Sequence, residues 1–176
     1  KDQDLYQEKI DKIKEIDSTI IDLALLKALK PEAKYSEGHI LREHNTSNNR
    51  ISATDITDGL ASEFYEILNS DKKYSNNTNP SNSYSKGIRI YEGKLPVEDE
   101  FKEIANILGL TYLDLFLHVG EDFEFLFTIN EELKDQLSTE MNYYVIGEIT
   151  DDNTVEIVLS NGQMEKISSR GYQHLK

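Results

Sequence analysis

Two short acidic segments carry the residue types best suited to chemistry. In the first, Asp55-Ile56-Thr57-Asp58-Gly59, a short extended-type run from Ile51 to Ile56 gives way to Leu60, Phe64, Ile67 and Leu68, spaced i, i+4, i+7 and i+8. That spacing predicts a strand, a turn and an amphipathic helix. Asp55 and Asp58 then flank the turn, and the free N–H groups of the helix start point the same way. Carboxylates so placed suit a hard cation, and the N–H groups suit a phosphate. The simpler alternative is helix capping, with Thr57 or Asp58 as N-cap and Gly59 permitting a tight entry. The second segment, Gly120-Glu121-Asp122, lies between the apolar run Leu113–Val119 and an alternating run from Phe123 to Ile129 that reads as a buried strand. Two charges between buried elements are awkward unless partners or water meet them. An exposed turn at a sheet edge is the alternative. His39 and His44 are close in sequence, but a zinc site needs further ligands that the pattern does not supply. His118 is assigned no role.

The chain has 176 residues, with 19 Lys+Arg against 33 Asp+Glu, a formal net charge of −14. That length fits one domain, or one domain with an appendage, and can bury a sizeable core. Cysteine is absent, which excludes a disulfide framework, a thiolate metal site and a cysteine nucleophile. No run reaches the roughly 18 apolar residues of a membrane span, and the first residues are too polar for a signal peptide. No membrane partner and a cytoplasmic location are expected. Nucleic acid is not an expected partner either, because its binding rests on Lys and Arg neutralising phosphate. If so acidic a chain handles phosphates, a metal cation is expected between the two negative partners.

The elements that position these segments follow from periodicity. From Leu5 to Leu29 apolar residues recur at helical spacing and Pro31 follows, which predicts one helix with a buried C-terminal half. Residues 36–50 are polar and read as a loop. The Asn- and Ser-rich stretch 70–86 reads as a mobile surface insertion. Gly87–Tyr91 alternates like a strand. Phe101, Ile104, Ala105 and Leu108 form a helix face, with Gly109 as C-cap and the acidic run 98–100 at its N-terminus. A short helix is expected over Glu131–Leu137 and strands over 143–150 and 154–159, joined by Asp151-Asp152-Asn153. Asn161-Gly162 then marks a two-residue hairpin turn into Gln163–Ile167. Helices and strands mixed with hairpins indicate an α+β fold.

Three pieces stand in fixed order: Asp55-Ile-Thr-Asp58-Gly-Leu-Ala, Gly120-Glu-Asp-Phe-Glu-Phe-Leu-Phe-Thr128 and Gly171-Tyr-Gln-His174. Together they resemble the C-terminal half of thiamine-monophosphate kinase, a family whose superfamily includes aminoimidazole ribonucleotide synthetase and selenophosphate synthetase. The resemblance covers roughly residues 22–176. It implies a layered α/β sandwich with a mixed sheet over 36–176. Residues 1–35 would be the leading helix and connector from an N-terminal ATP-binding domain that this sequence lacks. The family transfers the γ-phosphoryl of ATP to thiamine monophosphate, needs magnesium and usually forms a homodimer. Its turn reads Asp-x-Ser-Asp-Gly-Leu. By resemblance, Asp55 and Asp58 would ligate magnesium, and Thr57 would stand where the family's serine meets the nucleotide phosphates. Glu121 would contact the thiamine substrate, and Tyr172 would pack against a thiamine ring. The isolated chain is expected to be inactive. Val119 departs from the family, replacing the first glycine of Gly-Gly-Glu-Asp. A β-branched residue does not readily take φ > 0. Either that glycine's torsion is dispensable or the loop is shaped differently. A sister enzyme using ATP on another substrate, and a non-catalytic domain of the same fold, are the competing readings.

Overall fold

The computed structural model describes residues 7–8, 10–12, 14, 16–19, 21–22, 29–75 (backbone alone for 70–75) and 86–168. Gly171, Tyr172 and His174 lie outside the described residues. The leading segment is not one continuous helix. Helical turns before Lys14 and after Asp17 are separated by a break, where the Asp17 carboxylate accepts from the Thr19 backbone N–H at 2.9 Å. Asp17-Ser18-Thr19 is thus a helix-start signal inside the apolar repeat. Ile16 is buried at the break and Leu29 is exposed, against the expected burial of the C-terminal half; residues 23–28 lie outside the described set.

Helix α1 spans Tyr35–His44, where a loop was expected. Leu41 drives it: this single apolar side chain is buried, and Gly38 brings the helix against the Phe125 ring. With so few apolar residues there is little periodicity to read, yet tertiary contact still selects the helix. Strand β1 (Ser52–Asp55) leads into α2 (Leu60–Ser75), which runs further into the Asn/Ser-rich stretch than its composition suggests. After β2 (Gly87–Tyr91) comes α3 (Asp99–Leu108), closed by Gly109 at φ +72° as its spacing indicated. Helix α4 (Tyr112–His118) starts at Thr111, whose hydroxyl accepts from the Asp114 N–H at 3.0 Å. Strand β3 (Phe125–Thr128), a single 3-10 turn at Glu131–Leu133 and α5 (Lys134–Ser138) follow. The chain then forms β4 (Gly147–Thr150), β5 (Val155–Val158) and β6 (Met164–Lys166). Among the described residues no helix is long and apolar enough to cross a membrane.

The strands form two sheets. β1 and β3 make an antiparallel ribbon; the other four lie in the order β4-β2-β5-β6, with only β2 and β5 parallel. The architecture is the expected mix of helices and strands around a mixed sheet. β4 and β5, consecutive in sequence, are not neighbours: β2 enters between them. The loop at Asp151–Asn153 crosses over the start of β2, where a Cβ on Gly87 would sit 2.4 Å from both Asp152 Oδ1 and Thr154 O. Only glycine admits that crossing. One buried cluster joins Leu60, Ala61 and Phe64 of α2 to Ile88 and Ile90 of β2, Val155 and Ile157 of β5 and Leu117 of α4. Burial of a side chain such as Phe64 contributes about 1.5–3 kcal/mol. Tyr65 Oη donates to the Ile167 carbonyl at 2.6 Å, tying α2 to the end of the four-stranded sheet.

Candidate functional site

The first acidic turn is built by the end of β1, the start of α2 and a glycine between them. Gly59 has φ +102°, and a Cβ there would come within 3.0 Å of the His118 carbonyl carbon and 3.1 Å of the Leu117 oxygen. Only glycine fits both the torsion and the approach of α4. The Gly59 carbonyl accepts from Ser62 N (3.0 Å) and Glu63 N (3.3 Å), so Gly59 holds the N-cap position expected of Thr57 or Asp58. Those two side chains are thereby released from capping. Asp55 and Asp58 are exposed, and their carboxylates take no hydrogen bond or ion pair among the described residues. The Thr57 hydroxyl donates instead to Glu63 Oε1 at 3.4 Å.

The second acidic turn lies directly against the first. Continuing the β1–β3 ladder, Ile56 N donates to the Glu124 carbonyl at 2.9 Å and Phe123 N to the Ile56 carbonyl at 3.1 Å. Glu121 N then donates to the Thr57 carbonyl at 2.8 Å. Gly120 makes the approach possible: a Cβ there would fall 2.0 Å from the Thr57 oxygen and 3.0 Å from the Asp58 carbonyl carbon. The two motifs, some sixty residues apart in sequence, therefore share one set of backbone hydrogen bonds. Val119 has φ −92°, ψ 132°, an ordinary extended conformation. The torsional question is settled: a glycine is not needed there, and the close contact belongs to Gly120. Positive φ falls instead on Glu121 (+67°) and Phe123 (+53°). These two torsions cost roughly 1–2 kcal/mol each for a non-glycine residue. They also end the extended run, so β3 begins at Phe125 rather than Phe123. Its four residues are half-buried, not fully buried as expected, because the ribbon has two strands only.

The electrostatics of this corner are one-sided. Glu121, Asp122 and Glu124 are exposed, and Glu124 pairs with Lys34 at 2.8 Å, which raises the lysine's pKa. Glu63 sits beneath the turn as a buried carboxylate, 5% exposed, accepting from Thr54 Oγ1 at 3.1 Å and from Thr57. Among the described residues no Lys, Arg or His pairs with Glu63. No three His, Cys, Asp or Glu among them gather tightly enough to hold a metal by themselves. Magnesium does not require that: it keeps several waters and is usually held by one or two carboxylates plus substrate phosphates. Asp55 and Asp58, whose carboxylates have no partner among the described residues, fit such a role. Two of the histidines have carboxylate partners: His44 pairs with Glu140 at 2.9 Å and His39 with Glu43 at 3.2 Å.

Sequence reasoning missed Glu63 and the packing role of Gly120. Glu63 carried a legible signal: three residues after Leu60 and one before Phe64, it falls within the apolar stripe of α2, where a charge needs a reason. Gly120 carried none, since close approach depends on what lies opposite.

The comparisons with known proteins bear on this corner. No family model matches the chain. A curated relative, the thiamine-monophosphate kinase of Pyrococcus horikoshii, is 33% identical over 152 residues, covering 86% of this chain and 41% of the relative. This chain matches part of thiamine-monophosphate kinase. The corresponding enzyme of Pyrococcus abyssi is 32% identical over 85% of this chain. Among solved structures, a ThiL protein complexed with AMPPCP and TMP superposes with a TM-score of 0.66 over 97% of this chain and 47% of its own, at 20% identity. At that identity the likeness establishes the fold alone. The chain spans about 41% of the length of the thiamine-monophosphate kinase relative it matches.

Proposed function

We propose that this chain is the C-terminal part of a thiamine-monophosphate kinase, which transfers the γ-phosphoryl of ATP to thiamine monophosphate and releases thiamine diphosphate and ADP. The observation that carries this reading is the meeting of the two acidic turns through the Glu121–Thr57 backbone hydrogen bond, with the exposed side chains of Asp55, Asp58 and Glu121 taking no hydrogen bond or ion pair among the described residues. Phosphoryl transfer asks for positioning and charge neutralisation rather than covalent work by the protein. Asp55 and Asp58 would hold magnesium, which, when bound, neutralises charge on the transferring phosphoryl. Thr57 would face the phosphate end of the nucleotide, Glu121 the thiamine substrate, and Tyr172 would complete the substrate pocket. The solved ThiL structure, which carries AMPPCP and TMP, supports ATP and thiamine monophosphate as the pair of substrates. The remaining length of the kinase would supply an N-terminal ATP-binding domain and the homodimer contact, and a cytoplasmic location fits these substrates.

The test is turnover in the full-length protein. Incubation with ATP, magnesium and thiamine monophosphate should yield ADP and thiamine diphosphate, and Asp55→Ala and Asp58→Ala should each lower kcat by about 10²-fold or more. Near-normal rates for both variants at saturating magnesium would remove the metal role. ADP formation with another acceptor but not with thiamine monophosphate would favour a sister enzyme.

A further inference from the structure

Phe123 is the one phenylalanine ring that the fold does not use. Phe64 is buried, Phe125 lies against α1 at Gly38, Phe127 meets Tyr143 edge-on at 5.7 Å and Phe101 meets Phe116 likewise at 6.4 Å. Phe123 is 39% exposed and has no ring partner among the described residues. This exposure does not come from slack chain. The Phe123 N–H is bonded to the Ile56 carbonyl at 3.1 Å, and φ is +53°. That torsion takes the residue out of the strand alternation that puts Phe125 and Phe127 on one face. A positive φ in an aromatic residue persists only where the surroundings enforce it, and such residues cluster where ligands are held.

The ring stands in a charged setting. Glu121, two residues earlier, is exposed, and its carboxylate takes no hydrogen bond or ion pair among the described residues. Val119, also exposed, precedes it in the same loop. The face of an aromatic ring carries negative charge density and attracts cations, most strongly where water is displaced. Apolar surface beside an unpaired carboxylate therefore suits a ligand that is flat and positively charged. A neutral ring would gain nothing from the carboxylate, and an anionic one would be repelled by both groups.

We infer that Phe123 forms one wall of a subsite for a cationic heteroaromatic ring, with Glu121 as the counter-charge. The inference rests on the kinase reading for the identity of that ring: the thiazolium of thiamine monophosphate is flat and carries a fixed positive charge. Phe123 then selects the substrate by charge as well as by shape.

The experiment measures two affinities by calorimetry on full-length protein. One ligand is thiamine monophosphate, and the other is its neutral analogue with carbon in place of the thiazolium nitrogen. Wild type, Phe123→Leu and Phe123→Tyr are compared. Thermal melting checks each fold, and Phe123→Met replaces Phe123→Leu should the latter not fold. Wild type should bind the cationic ligand more tightly than the neutral one. A cation–π contact closed off from water corresponds to about five- to thirtyfold in affinity, and Phe123→Leu should weaken thiamine monophosphate binding by that factor. The neutral analogue should lose much less, so the preference for charge narrows, and Phe123→Tyr, which keeps a ring, should restore most of it. Wild-type affinity in folded Phe123→Leu, equal losses for the two ligands, or no binding of thiamine monophosphate by wild type would each overturn the inference. Charge-selective binding that depends on Phe123, in a protein that makes no thiamine diphosphate, would cost the kinase reading and leave the subsite standing. Thiamine diphosphate synthesis with Phe123-independent affinity would do the reverse.

Discussion

Gly120→Ala tests whether the two acidic turns must touch. The added methyl would sit 2.0 Å from the Thr57 oxygen and 2.8 Å from the Thr57 carbonyl carbon, both backbone atoms with no rotamer to give way. Ordinary contact begins near 3.4 Å, so the loop must retreat by more than an ångström. That movement breaks the 2.8 Å bond from Glu121 N to the Thr57 carbonyl. The lost hydrogen bond costs about 1 kcal/mol and the overpacking roughly 1–3 kcal/mol, giving about 2–4 kcal/mol in all. Urea unfolding of this chain should show the loss as a lower midpoint with an unchanged slope. In the full-length enzyme, an ångström of misplacement should lower turnover about 10²-fold. Gly93→Ala is the control: nothing lies within 4 Å of its added methyl, so its effect should stay within about 0.5 kcal/mol. Should Gly120→Ala unfold and turn over like wild type, the close packing of the two turns would be refuted, and with it the argument for a shared site.

Two further outcomes follow from the geometry. Glu121→Gly removes a side chain from a residue at φ +67°. Relief of roughly 1–2 kcal/mol of strain, less the added chain entropy of about 0.4–1 kcal/mol, should raise the melting temperature slightly. In the full-length enzyme the same change should raise KM for thiamine monophosphate; a lower melting temperature would show that the strain is not held there. Tyr112, whose Oη donates to Glu92, has its pKa pushed up to about 12 by burial and by that hydrogen bond. A raised folded-state pKa contributes stability in full below the unfolded value near 10, and loses it as pH rises toward 12. The urea midpoint should therefore fall between pH 10 and 12, and Tyr112→Phe should flatten that fall; an equally steep fall in the variant would assign the loss to other groups.

What the sequence determined by itself is local. The change of period at Ile51–Leu68 and the left-handed glycine after Leu108 each follow from torsions and spacing within a few residues, and each stands in the structure. The hairpin at Asn161-Gly162 also forms, but not through the two-residue turn expected: Gly162 N donates to the Leu159 carbonyl and Leu159 N to the Gln163 carbonyl, so Ser160, Asn161 and Gly162 make a three-residue loop in which Gly162 alone has positive φ. The residue types of the two acidic turns were legible for the same reason. The tertiary structure decided what depends on distant partners. It made a helix of the polar stretch 35–44 because Leu41 found burial, and it set β2 between β4 and β5 because Gly87 lets the crossing loop pass. It buried Glu63 under the turn, and it brought Gly120 against Thr57. Periodicity records which face of an element is apolar but not which element will cover it. Two turns some sixty residues apart become neighbours only when β1 and β3 pair, and that pairing is a property of the whole fold.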